Sequence, residues 1–229
     1  MASAEVLAGV DMVALRLGEE GLQLLLSRRS QEPFAGEWAL PGVLVNGRSA
    51  DASLDAAAAR ALQDRARIAP AHLEQVATVG NATRDPRGWS LSTIYLALLA
   101  ADTGVQGEDL RFVSLADVLQ GHLPLPFDHA RLAALAAERL AGKAVYTSLP
   151  LYLLAPCFTV GDALLAFQAC LGQAVQHTTL RGRLEKMKQH GWINDTGRKN
   201  QPRMGRPQNL LEHRPRAAGG FIFDRSVLS

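Results

Sequence analysis

The chain has 229 residues, 48% of them hydrophobic and 20% charged, with a formal net charge of +2. This composition predicts a packed soluble protein of one large or two ordinary domains and excludes wholesale disorder. No apolar run reaches the ~18 residues of a membrane span, so no membrane partner is expected; the two cysteines, read as reduced thiols, make a cytoplasmic location the expectation.

Residues 5–16 (EVLAGVDMVALR) and 22–28 (LQLLLSR) read as strands joined by the turn GEEG. The start has no basic n-region, and Asp11 interrupts its apolar run, so it reads as a strand and not a signal peptide. Residues 31–42 (QEPFAGEWALPG) form a Gly- and Pro-rich loop that hands over to a short strand. Residues 53–67 (SLDAAAARALQDRAR) contain neither Gly nor Pro, and Ser53 is placed to cap the first amides, so a helix is expected. Residues 74–80 and 91–99 read as strands, with a turn at DPRG (85–88), and 111–119 as a short strand followed by a helical turn. Asp128 is expected to cap a helix through about Leu140, with Leu132, Leu135, Ala136 and Leu140 on one face and Gly142 as its stop. This order predicts an α+β sandwich over 1–142, with the two prolines of 143–157 marking a connecting segment.

The second module covers 158–229. Thr159 and Asp162 resemble a capping box that opens the helix VGDALLAFQACLG, which Gly172 ends. QAVQ is a turn. A second helix runs from about Thr178 to His190, with Leu180, Leu184 and Met187 as its buried stripe, and Gly191 ends it. A strand, a basic loop and a return strand follow, which completes the plan of a winged helix-turn-helix. Cys157 and Cys170 are the two cysteines. Their spacing is not that of a metal site, so two reduced thiols in a helical core are expected, and no metal.

Charge divides along the chain. Residues 1–143 carry 13 Lys/Arg and 17 Asp/Glu, whereas residues 144–229 carry 11 and 5. A basic module joined to a near-neutral one points to a polyanion partner. On a helical wheel Thr178, Thr179, Gly182 and Lys186 face outward with Arg181 and Arg183 on the flanks. Small hydroxyls and cations on one face suit close approach to a major groove. Arg198, Lys199, Arg203 and Arg206 in the wing are candidates for phosphate contacts. In the first module Arg28 and Arg29 end the second strand, either as ordinary strand-end charges or as forked phosphate donors. Phe34 and Trp38 are candidates for contact with a ligand, although a Trp in this setting is as often core. Asp85 and Arg87 either serve the turn or reach a ribose or phosphate.

The segment WALPG (38–42), a loop and the helix that follows resemble the Nudix hydrolase signature. Aligned on Leu54, Arg60, Leu62 and Ile68 match, while the three helix carboxylates fall on Ala61, Asp64 and Arg65 and the loop Glu on Ala52. Ala61 offers no ligand and Arg65 brings a positive charge, so the carboxylate oxygens that Mg²⁺ demands are largely gone. No catalytic residue, metal or required cofactor is therefore expected. Together with FTVGDALLAFQACLGQAVQHTTLRGRLEKMKQHGWI and MGRPQNLLEHRP, the chain resembles the Nudix-related transcriptional regulators of bacteria. The resemblance implies a Nudix-type α/β/α sandwich with a C-terminal winged helix. It also implies ADP-ribose or a related nucleotide as effector, and a homodimer on a palindromic double-stranded operator, with repression of NAD-metabolism genes. The competing reading is an ADP-ribose-type pyrophosphatase with an appended nucleic-acid-binding module.

Overall fold

A computed structural model of the chain describes residues 6–48, 50–201 and 205–214. It divides into two compact units. The first runs to Glu138 apart from Ala100–Asp102, and the second begins at Arg139.

The first unit is a mixed sheet with helices. Strands β1 (Leu7–Gly18) and β2 (Gly21–Arg28) form a hairpin, followed by the short strands β3 (Trp38–Ala39) and β4 (Gly42–Leu44). Helix α1 (Leu54–Ala66) precedes β5 (His72–Asn81) and β6 (Ser90–Leu98). Strand β7 (Leu110–Ser114) leads directly into α2 (Leu115–Leu119). The strand order is β3-β2-β1-β6-β5, with β4 paired to β1 and β7 to β2. The central pair β1–β6 is parallel; every other pairing is antiparallel. Strand β6 is buried almost throughout: its second half, IYLAL, is an apolar run suited to a strand covered on both faces, and Ser90, Ser92 and Thr93 are buried ahead of it. Alternation along β1 sends Val10, Met12 and Ala14 to the face covered by α1, where they meet Ala57, Ala58, Ala61 and Leu62. The small side chains of α1 let it lie close to the sheet. Ser53 caps α1 through its hydroxyl, which accepts from the Ala56 amide at 3.1 Å.

Helix α3 (His129–Ala144) runs past Gly142, the expected stop. Gly142 does not adopt the left-handed conformation that ends helices, and Ala144 beyond it is fully buried, so packing carries the helix onward. The Asp128 backbone carbonyl accepts from Leu132, while its carboxylate turns to Arg84.

In the second unit, residues 145–156 hold a 3₁₀ turn, Leu149–Leu153, with Leu149, Pro150, Leu151 and Leu153 buried. Strand β8 (Cys157–Phe158) follows, then α4 (Val160–Leu171) and α5 (His177–Gln189). Thr159 and Asp162 complete the capping box: the Thr159 amide donates to the Asp162 carboxylate at 2.8 Å and the Asp162 amide to the Thr159 hydroxyl at 3.1 Å. Gly172 closes α4 in the left-handed region, at φ 64°. Strands β9 (Ile193–Lys199) and β10 (Asn209–His213) make an antiparallel hairpin, and β8 adds to β10 as a third strand. Cys157 lies on that added strand, not in a helix, while Cys170 is buried in α4 and burial pushes its thiol up to about 12.

Candidate ligand pocket and nucleic-acid interface

A cavity of about 340 Å³ opens in the first unit, beside the ends of β2 and α1 and the turn after β5. Six guanidinium groups line it, from Arg28, Arg29, Arg60, Arg65, Arg84 and Arg87, together with Asp11, Asp85 and His129. Four of the expected ligand residues, Arg28, Arg29, Asp85 and Arg87, thus come together. Phe34 lines an adjoining cavity instead, with Asn81, Thr83, Phe127 and Arg131. Trp38 is on neither lining; the Arg111 guanidinium sits 4.2 Å from its ring centroid.

The wall is a set of ion pairs. Arg84 holds Asp128 at 2.9 Å and Asp11 at 3.3 Å, and all three side chains are largely buried. Burial opposes the Arg84 charge, but hydrogen bonds and attraction from the two carboxylates outweigh it and raise its pKa. Arg87 grips Asp85 at 2.7 and 3.0 Å, which holds that carboxyl below the usual range. Arg60 grips Asp51 at 2.8 and 2.7 Å, and this hydrogen bonding, helped by the Asn46 amide, brings the Asp51 carboxyl down to about 2. His129 is fully enclosed, and burial lowers its pKa. Its Nδ1 accepts from the Leu40 amide at 3.1 Å, which leaves Nε2 to carry the proton toward Asp11, 3.7 Å away. Gly42 is dictated by this wall: a Cβ there would lie 2.6 Å from the Asp11 carboxylate and 2.9 Å from the Val10 carbonyl.

The other three cations are uncommitted. Among the described residues no carboxylate lies within ion-pair distance of Arg28, Arg29 or Arg65. Arg28 donates to the Gly36 carbonyl, and Arg29 to those of Pro33 and Gln31. Burial lowers the Arg29 pKa, and the charges of Arg87 and Arg65 lower it further against the opposing pull of Asp85 and Asp11. The Arg29 guanidinium also lies 4.8 Å from the Phe127 ring, which meets Phe34 edge-on at 4.8 Å. Both phenylalanines hold left-handed backbone, at φ 65° and 58°.

At the three positions of α1 that match the Nudix carboxylates, Ala61 is buried against the sheet and Arg65 is exposed at the cavity. Asp64 leans toward Arg60 at 3.8 Å. This donor set does not fit Mg²⁺, and among the described residues no group of three His, Cys, Asp or Glu could hold a metal ion.

In the second unit, Leu180, Leu184 and Met187 of α5 are buried, while Thr178, Thr179 and Arg181 are exposed and Lys186 is half-buried. Arg198, Lys199 and Arg206 are exposed along the β9–β10 hairpin; Arg203 lies outside the described residues. Arg183 is turned inward, away from the flank position expected of it. Its Nη2 donates to the Thr147 carbonyl at 2.9 Å, its guanidinium lies 4.7 Å from the Phe167 ring, and burial pushes its pKa down to about 10. Its Nε is buried with no partner.

Several lining residues escaped the sequence reading. Arg84 precedes the chosen Asp85 in TRDPRG, and Phe127 and His129 flank Asp128 in LPFDHARL, so both segments drew notice without those side chains being assigned. Asp11 registered only as a break in an apolar run, Arg60 only as a motif match, and Arg65 only as a lost metal ligand.

No family model matches the chain. It is 38% identical over 179 residues to the ADPR responsive transcriptional repressor NtrR of Acinetobacter baylyi, covering 76% of this chain and 70% of that protein. The crystal structure of Shewanella oneidensis NrtR complexed with a 27mer DNA aligns over 90% of this chain and 93% of its own, at 35% identity and a TM-score of 0.79. The NUDIX domain of the same protein, complexed with ADP ribose, aligns over 61% of this chain and 91% of that domain, at 39% identity and a TM-score of 0.55. With a Nudix-type first unit and a helix-turn-helix second unit in one chain, this protein belongs to the family of Nudix-related transcriptional regulators.

Proposed function

We propose that the chain is a DNA-binding transcriptional repressor whose Nudix unit senses ADP-ribose, or a related nucleotide, without hydrolysing it. The observation that carries this reading is the pocket itself: guanidinium groups from the end of β2, from α1 and from the turn after β5 converge on one cavity, and the α1 donor set there does not fit a catalytic divalent ion. Metal-assisted hydrolysis relies on that ion to activate water and neutralise phosphate charge. Its loss leaves recognition without turnover. The relatives named above supply the biological frame, being an ADP-ribose-responsive repressor and a DNA-bound regulator.

In this reading residues 1–142 sense the effector and 158–229 hold a palindromic operator as a homodimer, in the cytoplasm, near genes of NAD metabolism. Helix α5 enters the major groove with Thr178, Thr179, Arg181 and Lys186, and Arg198, Lys199 and Arg206 bind phosphates. The effector acts by binding one arrangement of the dimer more tightly than the other. The test is a mobility-shift titration on the DNA upstream of the protein's own gene. ADP-ribose is expected to release the shifted complex and to be recovered intact. Indifference of the complex to ADP-ribose, or its rapid hydrolysis with Mg²⁺, refutes the proposal.

A further inference from the structure

We infer that Arg28, Arg29 and Arg65 together form a built-in counterion for a diphosphate, so that the pocket binds its nucleotide without any divalent cation and Arg65 sets the ligand charge it accepts. The inference rests on the sensing function proposed above and specifies how that site recognises its ligand.

The argument is one of charge accounting within the cavity. Three of its six guanidiniums are already neutralised: Arg60 by Asp51, Arg84 by Asp11 and Asp128, Arg87 by Asp85. His129 is held neutral, since the Leu40 amide occupies its Nδ1. Three guanidiniums therefore remain unpaired, on the end of β2, on the residue after it, and on the last turn of α1; because Arg84 is held by two carboxylates, the lining with its paired carboxylates keeps a net charge of +2, that of a diphosphate's counterion. They converge on one cavity from separate elements, which surface charge without a purpose rarely does. At Arg29 burial first, then the charges of Arg87 and Arg65, make the cation harder to hold, while Asp85 and Asp11 oppose them. An anion relieves that repulsion, and a divalent cation would add to it.

The shape of the donors narrows the ligand. Arg28 and Arg29 each have a backbone carbonyl fixing Nε, and Arg29 spends Nη2 on the Gln31 carbonyl, which leaves both outer nitrogens of Arg28 and Nη1 of Arg29 for a ligand. Among the described residues Arg65 makes no hydrogen bond or ion pair, and it is exposed at the cavity. Planar donors of this kind match phosphate oxygens in pairs. Three of them suit two adjacent phosphates better than one, and a compound carrying two full negative charges better than one whose own cation offsets part of its charge. Thus a nucleoside diphosphate sugar is favoured over a dinucleotide with a pyridinium ring.

The experiment is calorimetric binding of ADP-ribose and of inorganic pyrophosphate to the full chain, in excess EDTA and in excess magnesium chloride. For the wild type, ADP-ribose affinity is expected to be equal in the two buffers within about twofold, and pyrophosphate is expected to compete in EDTA. Arg65→Gln should weaken both ligands about tenfold while leaving the melting temperature of the free protein unchanged, because the side chain makes no structural contact. Arg65→Lys should recover part of the loss. A merely structural role for Arg65 would move stability and leave the ligand-charge preference untouched. Wild-type binding that requires magnesium, or undiminished pyrophosphate binding by Arg65→Gln, overturns the inference. Metal-free, Arg65-dependent binding of ADP-ribose that fails to release DNA supports it and defeats the repressor reading alone.

Discussion

Acidification should loosen the second unit through His213. This side chain ends β10, largely buried, with its ring edge-on to Tyr152 at 4.7 Å and Nε2 3.3 Å from the Ser148 hydroxyl. Burial lowers its pKa from 6.5 to about 4. A histidine depressed in this way is neutral in the fold while the unfolded chain takes up a proton near pH 6.5. Its contribution to stability is therefore complete above about pH 6.5 and disappears as the pH falls toward 4. The interval corresponds to about 3 kcal/mol in full, of which about 2 kcal/mol is lost between pH 7 and pH 5. Urea unfolding at those two pH values measures it. Trp192, buried in the same unit, reports the transition when Trp38 and Trp89 are replaced by Phe. His213→Gln in the same background cannot be protonated, so its stability should fall by about 2 kcal/mol less over the interval. Equal acid losses in the two proteins would refute the assignment.

Arg84→Ala should destabilise the first unit by about 3–5 kcal/mol, because Asp11 and Asp128 are left as largely buried, unpaired charges; thermal unfolding followed by circular dichroism tests this, and Arg84→Ala with Asp128→Asn should recover part of the loss. Thr159→Ala removes the hydroxyl half of the capping box and should cost about 1 kcal/mol in chemical denaturation. Lys186→Ala should lower the slope of log affinity for DNA against log salt by about 1. Arg183→Ala should do the reverse, lowering the melting temperature and leaving that slope unchanged, since its guanidinium is spent on Thr147 and Phe167.

Local chemistry was legible from the residue order. Ser53, Thr159 with Asp162, and Gly172 act within a turn of where they stand, so their roles follow from spacing alone. The stripe Leu180, Leu184 and Met187 was equally plain, because its periodicity is a property of the helix. What escaped were consequences of distant pairing. Arg84 finds Asp128 and Asp11, 44 and 73 residues away in sequence, and no local pattern announces either partner. A helical wheel places Arg183 on a flank because it knows nothing of the Thr147 carbonyl 36 residues earlier. Gly142 misled for the same reason: glycine permits a stop, but the burial of Ala144 decides against one. The candidate pocket was half-read, through the basic residues at the end of β2 and the turn at Asp85. Arg65 was taken as a ligand removed, when its place on the cavity wall makes it a charge supplied.

Phe34 and Phe127 both sit at backbone angles that side chains other than glycine seldom tolerate, at a cost of roughly 1–3 kcal/mol each. Two segments far apart in the chain are thus bent in advance and braced ring against ring beside Arg29. A visiting molecule meets a mould already set, and little of its binding energy is consumed in shaping it. Relaxing either bend, as Phe34→Gly would, should turn a stiff receptor into a slack one, with weaker binding and a larger entropic penalty on capture.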